Sequence, residues 1–423
     1  MIDRYLNPEI SSIWDDQNKF DTWKLVQEKF VETLEELNIA ENGIAKKINQ
    51  AVVQKDEVYK QEEITNHDLA SFVDILQEKV GEGSNWIHYG LTSSDIVDTA
   101  NSILIMRSLD YVNDLVNDLL LTLQDKAVQE KDTLIIGRTH GVYAEETFLG
   151  NIFGNWHLEI TRGLNRLKNS KSNISFGKLS GPVGNHSVVT EEIENLTLEK
   201  LSLKPEQFAN QIVGRDRYAE VVSSLGILAS TYERIATNIR SYQRSEISEM
   251  FESFKDGQKG SSAMPHKKNP IGSERVSGLA RIMRSYVTTS LENMVLWNER
   301  DISNSSVERI MLPDAFHLIS FMSTELNSIL KDLVINYEQI NINLEDAKNK
   351  SVSQKYLSYL VNNGVDRDTA YKKIQEEIFN NLSAEKLKAE LEKEFKLKFP
   401  DFEDQVQKNV DKNTFKDKFK KFG

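Results

Sequence analysis

The stretch VVSSLGILASTYERIATNIRSY, residues 221–242, places apolar side chains at Val221, Leu225, Leu228, Tyr232, Ile235, Ile239 and Tyr242, with spacings that alternate between four and three. Residues three and four apart share a face of an α-helix, so this spacing predicts a long helix carrying one continuous apolar seam. The same periodicity recurs outward along the chain. Ile105, Leu109, Val112, Val116, Leu119 and Leu123 form one face, and Leu149, Ile152, Trp156, Ile160, Leu164 and Leu167 form another. A fourth segment follows Pro270 with Val276, Leu279, Met283 and Tyr286. A fifth is expected to begin at Pro313-Asp314, because proline suits a first helical turn, and to run through Phe316, Ile319, Met322, Leu326, Leu330 and Leu333.

Helices of about 25 to 30 residues reach roughly 40 Å, more than a compact domain requires. The expectation is therefore an all-α fold with a central bundle of five long helices, whose remaining apolar faces meet other subunits; the alternative is a monomer whose helices pack only on one another. Shorter helical pieces precede the bundle, with Trp14, Phe20 and Trp23 near the start, and shorter pieces follow it, broken at Asn362-Asn363-Gly364 and Phe399-Pro400. This divides the chain into an N-terminal helical domain at 1–95, the long-helix domain at 96–345 and a C-terminal helical domain at 346–423. The basic run from Phe415 to Lys421 reads as a solvated helix face.

Composition narrows the chemistry. The 423 residues include no cysteine, which excludes disulfides, thiolate catalysis and cysteine-held metal sites. The formal charge of -13 disfavours partnership with nucleic acid or an anionic membrane, so an anionic small substrate needs a local cluster of cations. No stretch approaches the ~18 uninterrupted apolar residues of a membrane span. Met1-Ile2-Asp3-Arg4 does not open a secretory signal, so the cytoplasm is the expected location. Neither a phosphate-binding glycine loop, nor a dinucleotide fingerprint, nor a zinc-protease motif is present.

Three polar stretches that interrupt the helices carry the remaining information. In His88-Tyr89-Gly90-Leu91-Thr92-Ser93-Ser94-Asp95, Thr92 and Asp95 have capping-box spacing; the stretch is either a plain helix cap or an anion-holding turn. Gly137-Arg138-Thr139-His140-Gly141 sets a cation and an imidazole in a break between helical segments, and His67 in Asn66-His67-Asp68 has the same double reading, structural or catalytic. The third, residues 257–274, joins mobile glycines and paired serines to Pro265, His266, Lys267, Lys268, Asn269 and Pro270, the pattern of a mobile lid on a rigid hinge.

Together these stretches resemble the fumarase/aspartase superfamily, whose members carry an S-S-x-M-P-x-K-x-N loop; Ser261 to Asn269 matches it throughout. Within the superfamily the chain looks like the adenylosuccinate lyases along nearly its whole length, through Asp3-Arg4-Tyr5, His67-Asp68, residues 88–93, residues 137–141, Arg215-Asp216-Arg217 and Glu299 to Arg309, in the family's order. The resemblance implies an all-α homotetramer whose active sites each draw on three subunits. It also implies a cofactor-free and metal-free β-elimination of fumarate from adenylosuccinate, giving AMP, and from the succinylated imidazole-carboxamide nucleotide. Argininosuccinate lyase or carboxymuconate cycloisomerase chemistry, or a noncatalytic helical paralogue, are the alternatives.

By the same resemblance Ser261 is the base, His140 the general acid, Glu274 its partner, and His67 and Lys267 assist. Arg4, Tyr5, Asn66, His67, Asp68, Thr92, Ser93, Gln211, Ser262, Lys267, Lys268, Asn269, Arg275, Arg300, Ser305, Ser306 and Arg309 are binding positions. A serine hydroxyl is a poor base unless its alkoxide is stabilised; Lys267, the backbone N–H groups of the lid and the helix starting near Pro270 are the expected sources. The chain departs from the family pattern at Tyr143, Glu146, Gly214, Arg275, Asn298 and Asn304.

Overall fold

The five apolar seams become five long helices in the computed structural model: Ser93–Gln129, Leu149–Ile174, Arg215–Tyr242, Ile271–Glu292 and Ser303–Lys331. The structure describes residues 1–402 except Lys255, Asp256, Lys259, Ser262, Asn381 and Asp401; the basic run at 415–421 lies outside the described residues. From Val221 to Ile239 every seam position is fully buried, which is the reason the sequence keeps that spacing. The first helix, at 37 residues, extends about 55 Å.

Two sequence expectations need correction. The fifth helix starts at Ser303, not at Pro313, which lies inside it. The polar run Ser303-Asn304-Ser305-Ser306 reads as a loop, yet Asp301 accepts the Ser303 N–H at 2.9 Å and caps the helix there. Pro313, at the eleventh position, has no N–H to give the Arg309 carbonyl and crowds it, yet the helix continues past it. Residues 137–141 do not simply separate two helices. They belong to an antiparallel hairpin, Leu134–Thr139 paired with Val142–Phe148, whose two-residue turn is His140-Gly141. Both turn residues have positive φ, 55° and 77°, as a tight hairpin matching the strand twist requires. Two further two-residue strand pairs complete the sheet content of the described residues.

The chain divides into two compact units, one of residues 1–118, 160–234 and 275–326, the other of residues 119–159, 235–274 and 327–423. In the first, the helices interlock closely: a methyl group on Gly226 would lie 2.3 Å from a Val287 methyl, so only glycine permits this approach. Tyr232 shares a hydrogen bond with Ser323 at 3.0 Å, and Tyr286 donates to Asp314. Phe20, Trp23 and Phe72 form an aromatic cluster with centroids 5.2 to 6.0 Å apart, while Trp14 turns to Phe316 instead and donates to Ser108. The second unit holds the hairpin, the helix Tyr337–Ser351 and a small aromatic core in which Tyr356 packs on Phe399 and Phe402. No helix among the described residues is long and apolar enough to cross a membrane.

Candidate active site

A cleft of about 260 Å³ opens in the first unit between the His67 turn, the start of the Ser93–Gln129 helix and the stretch Arg300–Pro313. A larger groove, about 810 Å³ and lined by Leu357, Val361, Ile374 and Phe379, offers no carboxylate, histidine or lysine. Acid-base chemistry points to the smaller one.

His67 caps the helix Asp68–Val80, its Nδ1 accepting the Ala70 N–H at 3.4 Å, and this fixes Nε2 at 3.4 Å from the Ser93 hydroxyl. Asp68 receives the Arg309 guanidinium at 2.6 Å. Burial opposes ionisation of Asp68, but the adjacent Arg309 outweighs it, so the carboxyl sits below its ordinary range. Arg309 also reaches Ser305. Of the residues expected to bind substrate, His67, Asp68, Ser93, Arg300, Ser305 and Arg309 thus line one cleft, and Gln211 accepts from Arg300 at 3.3 Å. Thr92 is held one step away: its N–H donates to Asp95, half of a capping box, and Asp95 is fully buried against Lys178 and the Gly181 N–H.

Under the cleft lies an ionic network that no local motif announces. Arg215, buried, donates to Glu308 through Nε and one terminal nitrogen and to Asp98 through both terminal nitrogens, and it spends its last N–H on the Val213 carbonyl. Its five donors are all used. Asp98 and Glu308 stand 117 and 93 residues from it, which is why sequence reasoning missed them. Lys19, paired with Asp16 at 2.5 Å, is a second unanticipated cation on the cleft wall.

Other expected binding positions fall elsewhere in the first unit. Tyr5 packs edge-on against Phe321 at 5.0 Å, and Arg275 lies over the same ring while pairing with Glu325 at 2.8 Å. Arg4 and Ser306 are exposed, and Asn66 ends a helix in the left-handed region.

The proposed acid and base belong to the second unit. His140 stands exposed at the hairpin tip. Arg138, two residues earlier, grips buried Glu249 through two parallel bonds of 2.7 and 2.9 Å, and Asn343 donates to the same carboxylate. Two departures from the family pattern are accommodated here: Arg138 and Lys350 each lie over the Tyr143 ring, 5.2 and 5.4 Å from its centre, and Glu146 pairs with Lys355.

In the lid, the Ser261 hydroxyl oxygen accepts the N–H groups of Ala263 and Met264 at 3.3 and 3.1 Å. Asn269 donates to the Gly260 carbonyl at 2.7 Å and closes the loop; a side chain on Gly260 would meet the Lys267 carbonyl at 2.2 Å. Lys268 lies over Phe254, and its carbonyl accepts from Gln243. Lys267 is exposed, and Ser262 lies outside the described residues. The helix after Pro270 does not offer its N-terminal donors to Ser261 as expected, because Glu252 takes the N–H groups of Gly272 and Ser273 at 3.1 and 2.6 Å. Glu274 is exposed in the first turn, and among the described residues no hydrogen bond joins it to His140.

Residues 8–283 match the model of a family described as lyase. The chain is 42% identical to the adenylosuccinate lyase of Aquifex aeolicus over 89% of its length and 87% of that protein's. It is 40% identical to the adenylosuccinate lyase of Bacillus subtilis over the same shares of the two chains. Among solved structures it superposes on a fumarate lyase from Mesorhizobium sp. BNC1 with a TM-score of 0.82 at 19% identity, covering 92% of this chain and 90% of that one. It superposes on the β-carboxy-cis,cis-muconate cycloisomerase of Acinetobacter calcoaceticus with a TM-score of 0.83 at 18% identity, covering 99% and 97%. These last two likenesses establish the fold.

Proposed function

We propose that this chain, which belongs to the lyase family and within it to the adenylosuccinate lyases, eliminates fumarate from adenylosuccinate to give AMP, and from the succinylated imidazole-carboxamide nucleotide to give the carboxamide. It is a carbon-nitrogen lyase of purine nucleotide biosynthesis. The observation that carries this reading is the likeness to adenylosuccinate lyases at 40–42% identity across 89–91% of the chain. The carboxymuconate enzymes share the fold at 18–20% identity and do not favour the alternative chemistry.

In the reaction, Ser261 takes a proton from the carbon beside a succinyl carboxylate. The electrons of that C–H bond form the double bond of fumarate, and the C–N bond breaks. Its electron pair stays on nitrogen, which receives a proton from His140. Support for Ser261 comes from the two N–H groups aimed at its oxygen, since such donors stabilise an alkoxide. Support for the placement of His140 comes from the hairpin turn that it occupies and from the Arg138–Glu249 pair two residues away. Lys267 lends positive charge to the lid, and Glu274 orients His140 in the assembled enzyme. His67, Asp68, Ser93, Arg300, Ser305 and Arg309 hold the substrate's sugar and anionic groups in the cleft, with Arg4, Tyr5, Asn66, Thr92, Gln211, Ser262, Lys268, Asn269, Arg275 and Ser306 completing the binding set.

The working form is a homotetramer in which three subunits contribute to each site. Val295, Trp297 and Ile302, each 72–80% exposed beside Arg300, support burial of this stretch by another copy. The three-domain division at 95 and 345 is retained; the apolar cluster from Val352 to Phe402 falls entirely in its last part.

The test is to incubate the pure protein separately with adenylosuccinate, the succinylated carboxamide nucleotide and argininosuccinate and to assay fumarate. Release from the first two is expected. Release from argininosuccinate alone overturns the reading.

A further inference from the structure

Arg300 differs from the other cations of the cleft. Lys19, Arg215 and Arg309 each bond to a carboxylate, whereas the Arg300 guanidinium has none within ion-pair distance among the described residues. Its position is set by neutral groups: Nε donates to the Asn304 side-chain oxygen at 3.2 Å, and a terminal nitrogen donates to Gln211 at 3.3 Å. The Asn304 amide is bonded at both its oxygen and its nitrogen. It is 1% exposed, and its nitrogen donates to Glu308 Oε1 at 3.1 Å. Glu308 is itself gripped by Arg215, whose donors are exhausted by Glu308, Asp98 and Val213. An unbroken chain therefore runs from the buried Asp98–Arg215–Glu308 network through Asn304 to a cleft guanidinium that has no carboxylate partner among the described residues.

The spacing explains how the helix builds this relay. Asn304 and Glu308 are four apart at the start of the Ser303–Lys331 helix and share a face, while Arg300 lies four residues before Asn304, just outside the helix. A carboxylate at position 304 would pair with Arg300 and cancel its charge. An aliphatic residue would release it. The amide accepts from Arg300 without neutralising it, and its other end cannot rotate away without leaving Glu308 short of a donor.

We infer that Asn304 is a positioning residue for nucleotide binding: it transmits the rigidity of the buried Asp98–Arg215–Glu308 network to Arg300, holding that guanidinium unpaired and pre-oriented for an anionic group of the substrate. The inference rests on the function proposed above, and it deepens that reading by naming what orients Arg300. Pre-organisation of this kind saves the entropy of ordering a long side chain on binding, so its loss appears in affinity more than in the chemical step.

The test is a double-mutant cycle of N304A and R300A, read by AMP binding in calorimetry and by adenylosuccinate kinetics, with N304H as a rescue variant whose imidazole can accept from Arg300 and donate to Glu308. The expected result is a rise of about 10-fold in both the AMP Kd and KM for N304A, a change in kcat of less than about threefold, and recovery of at least half of the lost affinity in N304H. In the R300A background, N304A should cost nothing further. Unchanged AMP affinity in N304A, or losses that add in the double variant, overturn the inference while wild-type turnover leaves the function standing. Wild-type protein that neither binds AMP nor turns over adenylosuccinate overturns both together.

Discussion

Asp68 and Arg309, 241 residues apart in sequence, meet in a 2.6 Å hydrogen-bonded ion pair on the wall of the cleft. Arg309 is half-exposed, with open donors facing solvent, so it can bind an anion without leaving Asp68. Replacing Arg309 by Ala should raise KM for adenylosuccinate by about 30-fold, the value of a charge-assisted hydrogen bond of about 2 kcal/mol, with a smaller fall in kcat. Steady-state kinetics check this; a fall confined to kcat would remove Arg309 from substrate binding.

The hydroxyl of Ser261 and the imidazole of His140 carry the proton transfers. S261A and H140Q should each lower kcat at least ~100-fold while the unfolding midpoint stays near the parent's, because both residues are at most partly buried. Single-turnover rates alongside thermal melts separate lost chemistry from lost structure.

Arg215 neutralises two buried carboxylates. Replacing it by Met leaves Asp98 and Glu308 facing each other without a cation, so R215M should lose about 3–5 kcal/mol of stability. K372A, which removes an exposed pair with Asp368, should leave the denaturation midpoint unchanged. Equal stability of the two variants would contradict a structural role for the network.

His88 sits in the left-handed region with its ring against Gln27, and burial, then the nearby His67, pushes its pKa down to about 4. The unfolded chain titrates this group near 6.5 and so binds more protons than the folded one between the two values. The stabilisation is complete above pH 6.5 and is lost as pH falls toward 4, about 3 kcal/mol in all. H88N keeps a residue that tolerates positive φ and should show a shallower fall in stability between pH 7 and pH 5, measured by denaturant titration at each pH.

The long helices were legible because burial of a helix face imposes spacings of three and four, and Val221 to Ile239 display them without interruption. The start of the fifth helix was not, since the polar Ser303–Ser306 run looks like a loop until Asp301 is seen capping it. The hairpin at 134–148 was hidden for a related reason: its turn uses His140-Gly141 in place of the usual Asn-Gly, and a bulge between Ile136 and Arg138 disturbs the alternation. Local motifs located His67, Ser93, His140 and Ser261. Of the groups that hold the cleft in shape, Asp98 and Arg215 reach the Asn304–Glu308 helix face only through tertiary packing, and Glu252, which takes the donors expected for Ser261, lies about 20 residues from them in sequence.

The most direct measurement is the product balance of a single time course: AMP and fumarate quantified by chromatography after the protein is mixed with adenylosuccinate. The account predicts that the two rise together in equal amounts and that neither forms with the combined H140Q and S261A variant. Adenylosuccinate left intact by the assembled wild-type protein, or fumarate appearing without AMP, would contradict it.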